Sequence, residues 1–390
     1  MSNSNKVILP TECYGCRACE QACPTNCIEM LDDGFLHPII DYDKCISCGK
    51  CTRNCQMLNK KPEFELDKQR VYAAWSKDEE DVNVSTSGSI FTVLAKQVIE
   101  EKGIVFGAIY EDNKNVVTGC ADDLETMMLM QGSKYVFCDT GKSYSEAKKA
   151  LEDNRKVLYT GTPCQIAGLR MYLGKDYDNL LCVDLICHGV PSKALFRKYI
   201  DMLEKDYKSG VSQFRFRYKK EGEKAPYYRI DFEDGTAIEE KLKDNKYSKV
   251  YNSMLAHMKQ CHHCNYKVGY RASDIIIGDF WGIDTINPEH YNEKGTSLII
   301  VNSPKGEKWL DGAREHMHIF EEKMENAVLH NPALTVNVPR HKFREAFLEC
   351  LDKKGFDSAY KKYFIYGKVP MLLYRVARKF KKLLRRGKHD

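Results

Sequence analysis

No run of apolar residues in this chain of 390 approaches the ~20 needed to cross a bilayer. Met1 to Pro10 holds no apolar core of signal-peptide length, so export is not expected and a cytoplasmic location is. No GxGxxG, GxSxG or HExxH occurs, and Val136 stands where a Walker A loop would need its first glycine. A standard NAD-binding half and a P-loop NTPase are therefore poorly supported. Charge of one sign is also scarce over most of the chain. Lys plus Arg number 60 and Asp plus Glu 55, for a net +5. Residues 361–390 alone carry eleven Lys or Arg and one Asp, so the rest is slightly acidic. The basic balance belongs to the tail, and no nucleic-acid partner is expected of the body.

Cysteine is what the chain has in excess. There are 17, nine of them before Asn59. In a chain that is not exported, such density points to metal or redox chemistry rather than disulfides. Cys13, Cys16, Cys19 and Cys23 form C-x2-C-x2-C-x3-C, followed by Pro24. Cys45, Cys48, Cys51 and Cys55 repeat that spacing with every cysteine displaced by 32, but Gln56 takes the place of the proline. This internal duplication resembles the bacterial two-cluster ferredoxin. Three closely spaced cysteines let a tight turn present three sulfurs to one cubane, and the fourth comes from elsewhere. In the ferredoxin arrangement Cys13, Cys16, Cys19 and Cys55 hold one [4Fe–4S] cluster, and Cys45, Cys48, Cys51 and Cys23 the other. A zinc module is the competing reading of paired C-x2-C, and two identical four-cysteine runs disfavour it. Between the halves, Cys27 to Leu36 reads as a hairpin turning at Asp33-Gly34. A unit this small needs its clusters as a core. Cys27 reads as a small buried residue.

Residues 1–59 thus form an α+β ferredoxin-like two-cluster domain, and polar residues 60–70 a linker. Length allows two to three domains at ~150 residues each. From Val71 onward, short apolar runs alternate with helical stretches, which predicts an α/β domain with a mostly parallel sheet. Strands are predicted at Gly103–Tyr110, Lys156–Tyr159, Leu180–Ile186, Asp274–Ile277 and Ser297–Val301. Period-two stretches at Gln213–Tyr218 and Tyr227–Phe232, with a turn at Asp234-Gly235, predict an antiparallel hairpin insertion. Cys164, Cys187 and Asp279 each follow the C-terminal end of a predicted strand, where open α/β sheets gather ligands. Cys261 and Cys264 add a C-x2-C. With Cys164 and Cys187 they suggest a third four-thiolate site; the alternative is two buried cysteines and a zinc-binding pair. Cys182 reads as core, and Cys120, Cys138 and Cys350 have no ligand spacing. Ser85-Thr86-Ser87-Gly88-Ser89 opens a helix over about residues 90–101. That is either a phosphate cradle or an ordinary N-cap.

These segments, with Gln131-Gly132-Ser133-Lys134-Tyr135, Gly161 to Leu169, Asp184 to Pro191 and Gly278-Asp279-Phe280-Trp281-Gly282, resemble the coenzyme F420 hydrogenase/dehydrogenase beta-subunit family, fused behind a two-cluster ferredoxin. The likeness runs from about Val71 to Pro339. Members are iron–sulfur flavoproteins, and related reductases act on sulfite and on a chlorophyll derivative. The resemblance implies a domain over residues 71–345 that binds FAD beside a third [4Fe–4S] cluster. It implies that Ser87, Gly88, Ser89 and Thr92 lie near the FAD phosphates or ring, and that Ser133, Lys134 and Tyr135 contact the flavin. Ser89 stands where many relatives carry a second glycine. Clusters carry single electrons and flavins can deliver pairs, so the expectation is an oxidoreductase. It would link ferredoxin or another redox partner protein to a small-molecule substrate, with F420 a candidate. The alternative is a non-catalytic electron-transfer subunit. No catalytic residue is assigned; His188 and Asp279 are candidates by location only.

Residues 346–390 read as a basic amphipathic tail, with Leu373, Val376, Phe380, Leu383 and Leu384 on one helical face. One reading is peripheral contact with the anionic inner face of a membrane, and the other a solvated helix packed on the body or an acidic partner.

Overall fold

The computed structural model describes residues 9–10, 13–59, 69–223, 226–267 and 271–365. Most of the expected linker and the amphipathic stretch of the tail lie outside the described residues. The N-terminal unit is small and α+β. Two one-turn helices, Ala18–Gln21 and Lys50–Arg53, flank a hairpin of β1 (Ile28–Asp32) and β2 (Leu36–Ile40). Asp32 pairs with Leu36, so the chain reverses at Asp33-Gly34 as expected. Gly34 has φ 101°, and a Cβ there would lie 2.7 Å from Ser192 Oγ, so only glycine fits this tip.

The body is built on a mixed sheet. Its strands are β3 (Arg70–Ser76), β4 (Ile104–Tyr110), β5 (Val116–Ala121), β6 (Cys138–Asp139), β7 (Val157–Gly161), β8 (Leu180–Leu185), β12 (Ile275–Asp279), β13 (Ser297–Val301) and β14 (Met317–Glu322). Between them come β9 (Val211–Tyr218), β10 (Tyr227–Phe232) and β11 (Ala237–Lys241), a separate antiparallel sheet. The insertion therefore carries a third strand beyond the expected hairpin. The large sheet runs β14-β3-β13-β12-β8-β7-β4-β5-β6. Its centre, β12-β8-β7-β4, is parallel. Antiparallel pairs flank that centre on both sides.

The central strands read as unbroken apolar runs because both faces are covered. Leu158, Leu181, Val183 and Ile275 pack toward helices Ile90–Glu100 and Pro304–Ala313. Their neighbours Val157, Tyr159, Leu180 and Cys182 pack toward helices Ser143–Glu152 and Pro163–Leu173. A strand alternates its side chains, so consecutive residues enter opposite cores. A third core joins β9 and β10 to helices Lys193–Tyr207 and Arg344–Tyr360. That last helix spans the expected domain boundary at residue 345. It buries Phe347, Leu351 and Phe356, so the stretch to about residue 360 packs as body rather than as solvated tail. No helix among the described residues is long and apolar enough to cross a membrane.

Candidate functional site

The crossed arrangement of the N-terminal cysteines is visible in their electrostatic neighbourhoods. Burial pushes the Cys13 thiol up to about 12, and Cys16 and Cys55 add to the shift. Cys19 is raised by burial and then by Cys16, Cys13 and Cys55. Cys55 thus stands with the first three cysteines, not with the run in which it is written. Cys23 in turn lines one hollow with Cys45, Cys48 and Cys51. Cys27 is buried, as expected, yet its sulfur lies 3.4 Å from that of Cys23.

The N-terminal unit is clamped to the body. Arg17 pairs with Asp139 through two bonds of 2.5 and 2.9 Å. Lys193 stands 3.2 Å from both Asp32 and Asp139. Burial raises the Asp139 carboxyl, but Arg17, the Gly141 amide and Lys193 together hold it below its ordinary value. At the hairpin tip the Gly34 carbonyl accepts from Ser192 Oγ and from the Lys193 amide, both at 2.9 Å. The segment that begins at Cys187 therefore ends by gripping the N-terminal unit.

Cys164 lies in the first turn of helix Pro163–Leu173. Thr162 and Gln165 form a capping box there, and Pro163 opens the helix. Cys187 follows β8, and Cys261 and Cys264 come from a short 3-10 turn and its end. Burial raises the Cys164 thiol well above its ordinary value, and Cys187, Cys264 and Cys261 each oppose its ionisation further. Burial and Cys187 take Cys261 up to about 12. The four expected cysteines are thus neighbours. No three His, Cys, Asp or Glu side chains among the described residues form a site for a metal ion. Sulfurs around a cubane stand further apart than around one ion, since each binds a separate iron.

All four of these cysteines line one cavity of about 280 Å³ at the C-terminal ends of the parallel strands. Ser87, Ser89, Ser133, Lys134 and Tyr135 line it too; Tyr14 of the N-terminal unit completes one wall. Ser87 and Ser89 have φ 58° and 67°, the left-handed region that suits glycine. Their hydroxyls are spent internally: Ser87 Oγ donates to the Thr296 carbonyl at 3.0 Å, and Ser89 Oγ to Ser85 Oγ at 2.8 Å. Gly88 and Thr92 stand behind the wall. The Gly88 amide is taken by Ser297 Oγ at 2.9 Å, and a Cβ on Gly88 would meet the Ala74 carbonyl at 2.4 Å. Thr92 accepts from Gln131 at 3.2 Å. Ser89 makes no side-chain cap, and Ile90 and Phe91 of the helix it opens reach the cavity. Lys134 turns its ammonium onto the carbonyls of Met130, Gln131 and Gly132 at 3.2–3.4 Å. Burial lowers it to about 8. The Tyr135 ring packs edge-on against Phe216 and Tyr251.

Sequence reasoning named Asp279 and His188 by location but missed the arginine that holds Asp279. Arg217, from β9 of the insertion, is 5% exposed, bonds Asp279 at 2.6 Å and also pairs with Glu223. It lies 5.5 Å from the Trp281 ring. The other Asp279 oxygen, Oδ1, is buried without a hydrogen-bond partner among the described residues. Lys219 reaches past them to the Ser87 carbonyl at 2.6 Å. His188 lines the cavity, where the protein atoms packed around it, and then Lys267, push its imidazole below the ordinary value.

Residues 154–327 match the model for the C-terminal part of the coenzyme F420 hydrogenase/dehydrogenase beta subunit. Over these residues the chain is similar to that family. Residues 12–58 match a 4Fe-4S dicluster domain. Both matches are to families of redox proteins. Among curated proteins, the ferredoxin-type protein NapF of Haemophilus influenzae is 30% identical over 59 residues, covering 13% of this chain and 34% of NapF. The chain thus spans about a third of that relative's length. Among solved structures, a chain from a study of the F420-reducing [NiFe] hydrogenase complex of Methanosarcina barkeri is similar at 17% identity and a TM-score of 0.44. The match covers 77% of this chain and 91% of that one.

Proposed function

We propose that the protein is an iron–sulfur flavoprotein oxidoreductase. It passes electrons between two N-terminal [4Fe–4S] centres, a third in the body and FAD, and couples them to a two-electron substrate or to F420. One observation carries the reading: a single cavity is lined by the four body cysteines, by the Ser87 and Tyr135 segments and by Tyr14 of the N-terminal unit. Cys13, Cys16, Cys19 and Cys55 hold one N-terminal centre; Cys23, Cys45, Cys48 and Cys51 hold the other. Cys164, Cys187, Cys261 and Cys264 hold the third.

The donor sets fit such groups. Buried thiols that resist one another's ionisation need a strongly positive occupant, and iron supplies it. The uncapped helix start at Ile90 and Phe91 offers amides to a diphosphate. Bound here, clusters supply single electrons and the flavin pairs them for two-electron chemistry. The chain's own residues do the rest. Lys134 holds the Gln131–Ser133 turn in shape, Tyr135 and Trp281 exclude water, and Arg217 fixes Asp279. The free Asp279 oxygen orients a substrate donor group, and His188 stays neutral near pH 7.

Anaerobically purified protein is expected to carry three clusters' worth of iron and acid-labile sulfide, with stoichiometric FAD. Stoichiometric zinc without sulfide or flavin would overturn the proposal. Turnover with reduced ferredoxin or F420 and a substrate panel, without any partner, supports an enzyme; failure with every acceptor leaves the electron-transfer subunit.

A further inference from the structure

Gln56 breaks the internal repeat: the first run of cysteines is followed by Pro24, the second by Gln56. Pro24 is exposed, whereas Gln56 is only 3% exposed. A buried primary amide must place N–H donors and a carbonyl, and Gln56 places one N–H and its carbonyl on residues beside the body's cysteine set. Its Nε2 donates to the Cys164 carbonyl at 2.7 Å. Gln56 also follows Cys55 of the first N-terminal set directly in the chain. Its Oε1 accepts from the Tyr266 hydroxyl. Tyr266 is itself tied to the body set, since its amide lies 3.5 Å from the Cys264 sulfur. Tyr14 follows Cys13 directly; its ring lies 5.6 Å from that of Tyr266, and its hydroxyl accepts from the Asn265 amide at 3.1 Å.

The backbone is as close as the side chains. A Cβ on Gly168, in the helix that carries Cys164, would lie 2.9 Å from the Cys16 sulfur and 3.0 Å from its Cβ. The two cysteine sets therefore share a dry, closely packed boundary, and Gln56 is the polar side chain that spans it.

We propose that Gln56 is a positioning residue that couples the first N-terminal centre to the body centre. It does so from its place beside Cys55, through a bond to the Cys164 backbone. This rests on both sites holding clusters. The step it serves moves one electron: one centre is oxidised, the other reduced, and no bond forms or breaks. An amide N–H held beside a cluster favours its more negative, reduced state, so Gln56 raises the potential of the centre that Cys55 serves. Proline at this position would have no such donor.

The test uses the full chain, prepared anaerobically, with Gln56→Met, which keeps the length and removes every polar contact. In an EPR-monitored redox titration, one N-terminal centre is expected to shift its reduced-to-oxidised ratio downward by roughly tenfold at fixed potential, about 59 mV for a one-electron couple. The remaining N-terminal centre is expected to stay in place. Wild-type protein labelled with 15N in glutamine side chains is expected to show 15N coupling to that shifted centre by pulsed EPR. If Gln56→Met loses its clusters, the wild-type 15N measurement decides. Absence of the coupling, or an unshifted titration in a variant with full iron and sulfide, overturns the proposal. Wild-type protein without iron and sulfide would instead overturn the cluster reading on which it rests.

Discussion

A single methyl group added at Gly168 separates two opposing effects. Gly168 is interior to helix Pro163–Leu173, so replacing it with alanine gains about 1 kcal/mol of helix propensity. Against that, the new Cβ would lie 2.8 Å from the Tyr144 hydroxyl, 2.9 Å from the Cys16 sulfur and 3.0 Å from the Cys16 Cβ. Tyr144 is fully buried and its hydroxyl is held by the Gln165 carbonyl at 2.7 Å, so it has no free rotamer to take. Cys16 lies in the short turn beside helix Ala18–Gln21 and moves only with that unit. Overpacking against such neighbours costs ~1–3 kcal/mol. The net expectation for Gly168→Ala is a loss of roughly 1 kcal/mol, with the strain at the junction of the N-terminal unit and the body. Anaerobic scanning calorimetry should show a melting temperature lower by a few degrees. Hydrogen exchange should rise in residues 13–21 more than in the central strands. A rise in melting temperature, the usual outcome for a helical glycine with room beside it, would refute the close approach of Cys16 to this helix.

Other consequences can be measured in the same preparations. Asp139→Asn should loosen the N-terminal unit at pH 7. Because the folded carboxyl is held below its ordinary value, its contribution is complete above the unfolded pKa of ~3.9 and is lost as pH falls through the lower folded value. The variant should therefore show a shallower acid limb in a pH-stability profile; an unchanged limb would remove Asp139 from the clamp. Gly88→Ala puts a Cβ against three backbone atoms of β3 and β13 and should cost ~2 kcal/mol or more, with loss of bound flavin; retention of both would place the turn differently. Gly34→Ala should free the hairpin tip from Ser192 and raise protease sensitivity there, while leaving the body's melting transition in place.

The cysteine framework was legible because ligand spacing is local: a C-x2-C-x2-C run presents its sulfurs wherever it sits. The central strands were legible for a similar reason. Val157–Gly161 and Leu180–Leu185 are covered on both faces and read as apolar runs. Beyond these, local pattern says less. β14 mixes apolar and polar residues at the edge of the sheet, and β6 is two residues long. The serine turn reads either as a phosphate cradle or as an ordinary N-cap, and its partners Thr296 and Ser297 are some 200 residues away, so nothing nearby shows that Ser87 and Gly88 are engaged with them. The pairing of Arg217 with Asp279 joins the insertion to the end of β12 and has no local signature. Helix Arg344–Tyr360, at the start of the expected tail, is interrupted by Gly355 at φ 77°. Its apolar residues then fall on no single stripe of a continuous helix.

The segment from Cys187 to Lys193 does two jobs within seven residues. One end supplies a thiol to the cavity, and the other seats the hairpin tip at Gly34. A ferredoxin cut from the front of this chain would take away Tyr14, a wall of the chamber, and deprive Asp139 of Arg17 and Lys193 of Asp32. The module is consequently no interchangeable cassette. Any graft of a foreign electron carrier onto this body would have to bring its own turn for Ser192 and its own arginine for Asp139.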